Sequence, residues 1–337
     1  MNKISWFSLN NQDASGELWY SQGYFNAAID TIRALQAAEC GVFYNREEID
    51  FHVNFCSPHY YQLRNKYNVG YTPWESTKVP ASWLNNMHKC DEIWATSNFV
   101  KEVYDKNNVN PNVHVIHHGV SSDFTIFERE LTGRFVFLHV GGDSKRKNAQ
   151  LAVDAFLELY EGDDDYRLIL KYNNFCHAEV YMDGNLVSAT NHPQIIAIPD
   201  ILSQDDLVRL YHKAHCLIYP TSGEGFGLIP LEAMATGLPT IVTNETGCKD
   251  FAHLGIPLSA KMVNADWNDY IYSDKTGDWA SPNFDELLEM MQNVVNEYEE
   301  FSDFALRSAR IIHSEWSWAS VADKILLRLS EYQKAFN

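Results

Sequence analysis

A glycine-rich loop with two glutamates carries the residues of this sequence whose types and spacing could do chemistry. Within residues 216–247, CLIYPTSGEGFGLIPLEAMATGLPTIVTNETG, Glu224 and Glu232 are separated by seven residues, and glycines lie on both sides of the first glutamate. Glycines let the backbone approach a ligand closely, and free amides at a helix start attract a phosphate or a sugar hydroxyl. A carboxylate suits two adjacent hydroxyls of a sugar or a ribose. For an isolated pair of glutamates, a tight turn with solvated charges is the more common interpretation.

A second candidate is the basic turn Lys145-Arg146-Lys147, which follows the apolar run RFVFLHV and a pair of glycines. Taken alone, such a turn is as often an exposed basic loop as a binding site. Here it stands in a chain with 26 Lys and Arg against 45 Asp and Glu, a formal net charge of −19. Cations beside a glycine turn in so acidic a chain indicate a clamp for a phosphate.

The elements that must position these residues are short apolar runs that alternate with helix-like stretches. Runs typical of strands occur at 41–45, 91–96, 113–118, 134–140, 166–172, 194–200, 215–220 and 239–244, and helical spacing precedes the first of them at 26–38. Strands alternating with helices imply parallel sheets in an α/β fold. Between the last two runs, Pro230 suits a first helical turn and Gly237 suits a helix end, which predicts a strand–loop–helix–strand unit.

The length of the chain predicts two domains. Its 337 residues exceed the ~250–300 residues at which one hydrophobic core stops growing. The polar segment 121–133 is the best boundary. We therefore expect an N-terminal domain at 1–130, a C-terminal domain at 131–315, and a helix at 316–337 that could pack back on the N-terminal domain.

The string from 216 to 247 resembles the signature of glycosyltransferase family 4, the group 1 glycosyltransferases. The family pattern of two glutamates separated by seven residues is met by Glu224 and Glu232, and the family's E-A-M-A-x-G-x-P follows as EAMATGLP. The resemblance implies an α/β fold of the GT-B type, with two Rossmann-like doubly wound domains facing a cleft. It also implies that the C-terminal domain holds most of a nucleotide-sugar donor.

The resemblance assigns donor-binding roles to the loop and its helix. Glu232 would accept the ribose hydroxyls of the donor, while Glu224 would face the transferred sugar and its phosphate. The backbone that would continue this contact belongs to Gly225, Phe226, Gly227 and Leu228.

The same resemblance places the diphosphate. Lys147 falls on the family's diphosphate-binding lysine, and Lys171, at the end of the run LILKY, would reach the same diphosphate. An arginine that the family often has after the first strand of this domain is replaced by Gly142. Arg146, Lys145 or Lys171 would then supply the second positive charge.

The N-terminal domain matches the family pattern less closely. Gly23 is the one glycine of a loop in which the family usually has two, and it would lie near the donor phosphates. A His-Asp dipeptide that ends a mid-domain strand in many members is replaced by Trp74 and Glu75, as in a subgroup with Trp-Glu there. Glu75 is therefore a candidate for holding an acceptor or sugar hydroxyl, with a surface glutamate after a turn as the alternative.

Composition disfavours several other classes of protein. Six scattered cysteines without a C-x-x-C pair fit neither a zinc site nor a disulfide framework. No apolar run reaches the ~20 residues needed to cross a bilayer, and the N-terminus lacks a signal-peptide pattern, so we expect a cytoplasmic protein without a transmembrane segment. The negative charge disfavours nucleic acid as a partner. Asp163–Asp165 is expected to be a solvated turn and not a metal site.

The leading hypothesis is a retaining glycosyltransferase that moves a hexose from a UDP- or GDP-type sugar to an acceptor hydroxyl. Its candidate catalytic residues are Glu224, Lys147 and Glu75. The resemblance implies no metal and no other cofactor, because Lys, Arg and helix N-termini stabilise the leaving diphosphate. A soluble sugar, a protein or a small molecule is the favoured acceptor, since residues 1–130 contain no basic cluster for an anionic membrane. Two alternatives are a catalytically silent nucleotide-sugar-binding protein and a sugar-nucleotide epimerase or phosphorylase on the same fold.

Overall fold

Two α/β units, each built around its own parallel sheet, make up the chain in a computed structural model. The structure describes residues 2–8, 22–141, 144–173, 175–265 and 277–336. Of these, the residues within 1–121, 272–277 and 315–337 form the first unit, and those within 122–271 and 278–314 form the second. Residues near both ends of the chain therefore belong to the first unit.

The first unit is a parallel sheet with helical connections. Its elements up to residue 115 are β1 (Lys3–Ser8), α1 (Gln22–Ala37), β2 (Gly41–Tyr44), β3 (Phe51–Phe55), β4 (Tyr67–Tyr71), α2 (Ala81–Met87), β5 (Glu92–Ala95), α3 (Asn98–Lys106) and β6 (Val113–Val115). The six described strands lie in the order β2-β1-β3-β4-β5-β6, and each neighbouring pair is parallel. All five residues of β3 are buried, as in a strand that is covered on both faces.

The second unit repeats this plan. Its elements are β7 (Phe135–Val140), α4 (Ala149–Tyr160), β8 (Tyr166–Lys171), β9 (Glu179–Met182), β10 (Asn185–Ser188), β11 (Ile195–Ile198), α5 (Gln204–Lys213), β12 (Cys216–Tyr219), α6 (Leu228–Ala235), β13 (Thr240–Thr243), β14 (Ile256–Leu258), β15 (Ala260–Asn264), β16 (Asp278–Pro282), α7 (Phe284–Asn296) and α8 (Tyr298–Glu315). The parallel sheet has the order β11-β8-β7-β12-β13-β14, and the pairs β9–β10 and β15–β16 are antiparallel. Phe137, Phe156 and Met291 lie in the core between this sheet and its helices.

The last described helix, α9 (Trp318–Phe336), packs on α1 within the first unit. Its Arg328 donates to the carboxylate of Glu92 in β5, whose side chain is only 1% exposed. The same carboxylate accepts from the indole of Trp94 at 2.8 Å and from the hydroxyl of Tyr67 at 3.2 Å. The Arg328–Glu92 ion pair therefore joins α9, near the end of the chain, to the first parallel sheet. None of the described helices combines the length and the apolar character that crossing a bilayer requires.

The predicted parallel architecture is confirmed in both sheets. The predicted runs correspond to β2, β5, β6, β7, β8, β11, β12 and β13, and the predicted helix is α1. The apolar runs do not predict β1, β3, β4 or β14, nor the strands of the two antiparallel pairs. In β9, Glu179 and Tyr181 are exposed while Val180 is buried, so the strand contains no continuous apolar run.

Candidate active site

The loop between β12 and α6 is held in place by the segment that follows β13. It lies at the carboxyl end of the parallel sheet, where open α/β sheets bind their ligands. The amide of Glu224 donates to Thr246 Oγ1 at 3.0 Å, and the amide of Gly247 donates to the Glu224 carbonyl at 2.8 Å. A β carbon added at Gly247 would lie 2.6 Å from that carbonyl oxygen. The two loops thus pack backbone against backbone, which fixes the position of Glu224.

Gly227 ends the loop in a conformation that other residues rarely adopt. Its φ is +107°, and a β carbon there would lie 2.6 Å from Cys248 Sγ. The helix α6 begins at the next residue, Leu228, and no side chain of the described residues caps it. Pro230 has no amide hydrogen and the Leu231 amide donates to the Gly227 carbonyl, so the amides of Leu228 and Ile229 are the donors that this helix start offers a ligand.

The carboxylate of Glu224 lies at the centre of a cluster of charged and polar side chains. Its Oε1 atom accepts from Arg146 Nη1 at 3.0 Å and from Lys147 Nζ at 2.5 Å. The same oxygen accepts from the hydroxyl of Tyr219 at 2.7 Å and from that of Thr221 at 3.2 Å. The side chains of Arg146, Lys147 and Glu224 are only 12%, 14% and 10% exposed. Two cations therefore share one carboxylate in mostly buried surroundings.

The basic turn is bonded to the glycine loop through its backbone as well. Arg146 Nη1 donates to the carbonyl of Gly223, and the amide of Ser222 donates to the carbonyl of Arg146 at 2.8 Å. Asn148 adopts a left-handed conformation with φ +55°, and its side-chain amide donates to the Pro220 carbonyl at 2.8 Å. The turn is therefore part of the same rigid site as the loop, although more than 70 residues separate them in the sequence.

The electrostatics of the cluster follow from its two cations. Burial raises the pKa of Glu224, but Lys147 and Arg146 outweigh it and lower that pKa to about 2. Burial lowers the pKa of Lys147; the Glu224 carboxylate opposes this shift, and Arg146 adds to it. The cluster thus places two cations, Arg146 and Lys147, against one carboxylate. It can attract an anion locally in a protein whose net charge is −19.

The other residues expected around the donor surround the same loop. Glu232 is half-buried in α6, and its Oε2 accepts from the hydroxyl of Tyr211 at 3.3 Å. Gly225 is buried, and the buried ring of Phe226 lies 5.5 Å from the ring of Phe251. Gly225 and Phe226 are thus part of the loop itself, and Glu232 lies in the helix that follows it.

Three of the expected site residues belong to other elements of the chain. Lys171 ends β8, and its buried ammonium donates to the Tyr172 carbonyl at 2.9 Å and to Asn173 Oδ1 at 2.7 Å. Gly23 is the second residue of α1, and half-buried Glu75 follows β4; both belong to the first unit.

The sequence also predicted a missing arginine at Gly142 and a solvated acidic turn at Asp163–Asp165. Gly142, which stands where the family has an arginine, falls outside the described residues. Asp163–Asp165 is an exposed turn between α4 and β8, as expected. Among the described residues, no three His, Cys, Asp or Glu side chains lie together as metal ligands would.

Tyr219, Thr221 and Tyr211 are the polar residues of the site that the sequence analysis missed. Tyr219 is the last residue of β12, and Tyr211 lies in α5. A tyrosine that ends an otherwise apolar strand, directly before a glycine loop, was the available signal for Tyr219. No comparable signal marks Tyr211, because its position on a helix face fits an ordinary core residue.

Comparison with known structures identifies the fold. Sucrose-phosphate synthase from Thermosynechococcus elongatus superimposes with a TM-score of 0.69 at 13% identity, over 99% of this chain and 100% of that chain. The Anabaena protein HepE, in complex with UDP-glucose, gives a TM-score of 0.64 at 13% identity, over 98% and 99% of the two chains. These likenesses and the two parallel sheets show that the expected GT-B fold of two Rossmann-like domains is correct.

Comparison with known sequences identifies the family. The O-antigen chain mannosyltransferase RfbU of Salmonella typhimurium is 28% identical over 162 residues, 47% of this chain and 44% of that protein. The chain spans less than half the length of the curated relatives it matches. A family described as "GT4-conflict: Family 4 Glycosyltransferase in conflict systems" matches residues 96–325, more than half of the chain. The chain therefore belongs to the family 4 glycosyltransferases of conflict systems.

Proposed function

We propose that the protein is a retaining glycosyltransferase that moves a hexose from a UDP- or GDP-type sugar to an acceptor hydroxyl without a bound metal ion. Its family and its mannosyltransferase relative support sugar transfer from a nucleotide sugar. The observation that carries the proposal is the pairing of Arg146 and Lys147 with one carboxylate, Glu224, beside a glycine loop and a helix start.

The leaving group gives the two cations a role. As the bond between the sugar C1 and the diphosphate oxygen breaks, negative charge grows on that oxygen. Lys147, Arg146 and the amides at the start of α6 would stabilise it. Such cations and dipoles can do the work that a divalent metal does in other transferases, which supports a metal-independent reaction.

The two glutamates would hold the two ends of the donor. Glu232 would accept the ribose hydroxyls, and the oxygen of Glu224 that is not bonded to the cluster would accept from hydroxyls of the sugar. HepE, which shares the fold, is in complex with UDP-glucose, and this supports a uridine nucleotide as one donor class.

The state of Glu224 supports transfer with retention and without a covalent intermediate. A carboxylate whose pKa is held at about 2 is a weak base and a weak nucleophile. The acceptor oxygen would therefore attack C1 from the side of the leaving phosphate. The new C1–O bond would form as the old one breaks, and the acceptor proton would pass to the departing phosphate oxygen. Glu75 would hold an acceptor or sugar hydroxyl, and we favour a soluble sugar, a protein or a small molecule as the acceptor.

The test is donor turnover across a panel of UDP-, GDP- and ADP-sugars, offered with simple sugars and with water as acceptors. We expect release of nucleoside diphosphate from a UDP- or GDP-sugar, unchanged by EDTA, and a product whose anomeric configuration by NMR matches that of the donor. A protein that binds a donor yet releases no diphosphate would instead be a nucleotide-sugar-binding protein. Inversion at C1 or loss of activity with EDTA would contradict the corresponding part of the proposal.

A further inference from the structure

The hydroxyl of Tyr219 joins the two charged groups of the site. It donates to Glu224 Oε1 at 2.7 Å and accepts from Lys147 Nζ at 2.6 Å. We propose that Tyr219 is a positioning residue, whose hydroxyl aims the remaining N–H of Lys147 and the remaining oxygen of Glu224 at the donor. This inference rests on the proposed function, because it assigns Tyr219 a part in the same transfer.

The geometry of an ammonium group supports the first half of the inference. Lys147 Nζ has three N–H bonds; it directs one to Glu224 Oε1 at 2.5 Å and one to Tyr219, and none of the described residues accepts the third. Two fixed hydrogen bonds determine the direction of the third N–H. Without the tyrosine hydroxyl, the ammonium could rotate about its single bond to the carboxylate.

The carboxylate supports the second half. The four donors described above converge on Glu224 Oε1, whereas Oε2 accepts from none of the described residues and is not enclosed in the protein. Donors on one oxygen fix the plane of the carboxylate and leave its other oxygen for a ligand. Tyr219 supplies one of the two shortest of these bonds, and it approaches from the strand β12.

The tyrosine ring is well suited to serve as a fixed reference. Tyr219 is fully buried, and its ring stacks on that of His139 with centroids 6.2 Å apart and planes 23° apart. The ring of His139 is itself held through Nδ1 by the Ile218 carbonyl at 2.9 Å. Burial and the charge of Glu224 raise the pKa of Tyr219, so the hydroxyl keeps its proton. The ammonium of Lys147 and the carboxylate of Glu224 are at the ends of side chains with several rotatable bonds, whereas the position of the Tyr219 hydroxyl is determined by its ring and by the strand that carries it.

The experiment removes the hydroxyl and keeps the ring. We expect Tyr219→Phe to lower kcat about tenfold while the donor KM changes less than about twofold, because a misdirected cation mainly weakens the transition state. The matched control is Tyr160→Phe, which removes a buried hydroxyl of the same unit that donates to the Met291 carbonyl at 3.4 Å. It should leave both constants unchanged. A normal kcat in Tyr219→Phe, or an equal loss in Tyr160→Phe, would overturn the inference.

A double-mutant cycle tests whether Tyr219 acts through Lys147. In a Lys147→Ala background, Tyr219→Phe should lower kcat clearly less than tenfold further, because one of the two groups that it positions is gone. An undiminished tenfold loss in that background contradicts the positioning role.

Phosphorus NMR of bound nucleoside diphosphate is independent of turnover, and its resonances should shift in Tyr219→Phe and not in Tyr160→Phe. If the wild-type protein turns over no nucleotide sugar, the proposed function fails. If the wild-type protein is active and Tyr219→Phe is equally active, the positioning role fails and the proposed function stands.

Discussion

Glu224 accepts from two cations and two hydroxyls through a single oxygen. The two cations and the two hydroxyls hold the carboxylate from several sides, so its position does not depend on any single side chain. Breaking a buried ion pair by removing one partner is costly, because the remaining charge stays buried. Glu224 is therefore both a structural centre of the cluster and a candidate contact for the donor.

Replacing Lys147 tests the cluster directly. We expect Lys147→Ala to lower kcat/KM for the donor by about 100-fold or more, because a preorganised cation at the leaving group is lost. The matched control is Lys145→Ala, which removes an equal formal charge from the exposed residue two positions earlier. Steady-state rates with a fixed acceptor measure both variants. Equal losses in the two variants would mean that general charge, and not the position of Lys147, matters.

The pKa of Glu224 makes the stability of the fold depend on pH in one direction. Its pKa is about 2 in the folded protein against 4.5 for an ordinary glutamate. A lowered carboxyl pKa contributes stability that is complete above about 4.5 and is lost as the pH falls toward about 2. Calorimetric Tm values should therefore show Glu224→Gln well below the wild type at neutral pH, with the gap narrowing below about pH 4.5. A gap that stays constant with pH would contradict this assignment.

The sequence was sufficient to name Glu224, Lys147 and Arg146 but not their mutual contacts. The string around Glu224 is local, so its resemblance to a known signature could be recognised residue by residue. The Lys147–Glu224 pair joins positions 77 residues apart, and the Lys147–Tyr219 bond joins positions 72 residues apart. Such contacts depend on how β7 and β12 pair in the sheet, which no local pattern encodes.

At the scale of elements, the site depends on two loops at the ends of neighbouring strands. The loop after β12 carries Glu224, and the segment after β13 fixes it through Thr246 and Gly247. Parallel strands that are buried on both faces appear in the sequence as apolar runs, which is why most of them could be predicted. The packing between loops has no such signature, because it is made by backbone atoms and one threonine hydroxyl.

Substituting Gly247 should separate this loop packing from overall stability. A β carbon there would lie 2.6 Å from three backbone atoms, so the loop carrying Glu224 must shift. We expect Gly247→Ala to lower kcat about tenfold or more, since small displacements of catalytic groups are costly. Gly162→Ala serves as control, because Gly162 has φ +81° but no atom within 4 Å of an added β carbon. Rates and Tm values are compared, and a normal rate in Gly247→Ala would show that the loop tolerates the shift.

At the scale of the whole molecule, residues near both ends of the chain build the same unit. The helix α9 packs on α1, and Arg328 pairs with the buried carboxylate of Glu92. The alternation of strands and helices predicted two α/β domains. It left the partner of the last helix open, because an amphipathic stripe shows that a helix packs but not on which core.

Removing Arg328 tests this connection. We expect Arg328→Ala to lower the free energy of unfolding by about 3 kcal/mol, because it leaves the Glu92 carboxylate buried without its cation. Glu331→Ala removes the other, exposed partner of Arg328 and should cost less than about 1 kcal/mol. Denaturant titrations with fluorescence detection provide both values. Similar costs for the two variants would show that the ion pair does not anchor α9.

The position of α9 in the chain also sets an order for biosynthesis. Every residue of the second unit, up to Ser314, is translated before α9. Because α9 is part of the first unit and domains generally fold as units, the first unit can complete its packing only after the whole second unit has been translated. The pairing of Arg328 with Glu92 is therefore a late event in biosynthesis, although Glu92 itself is translated early.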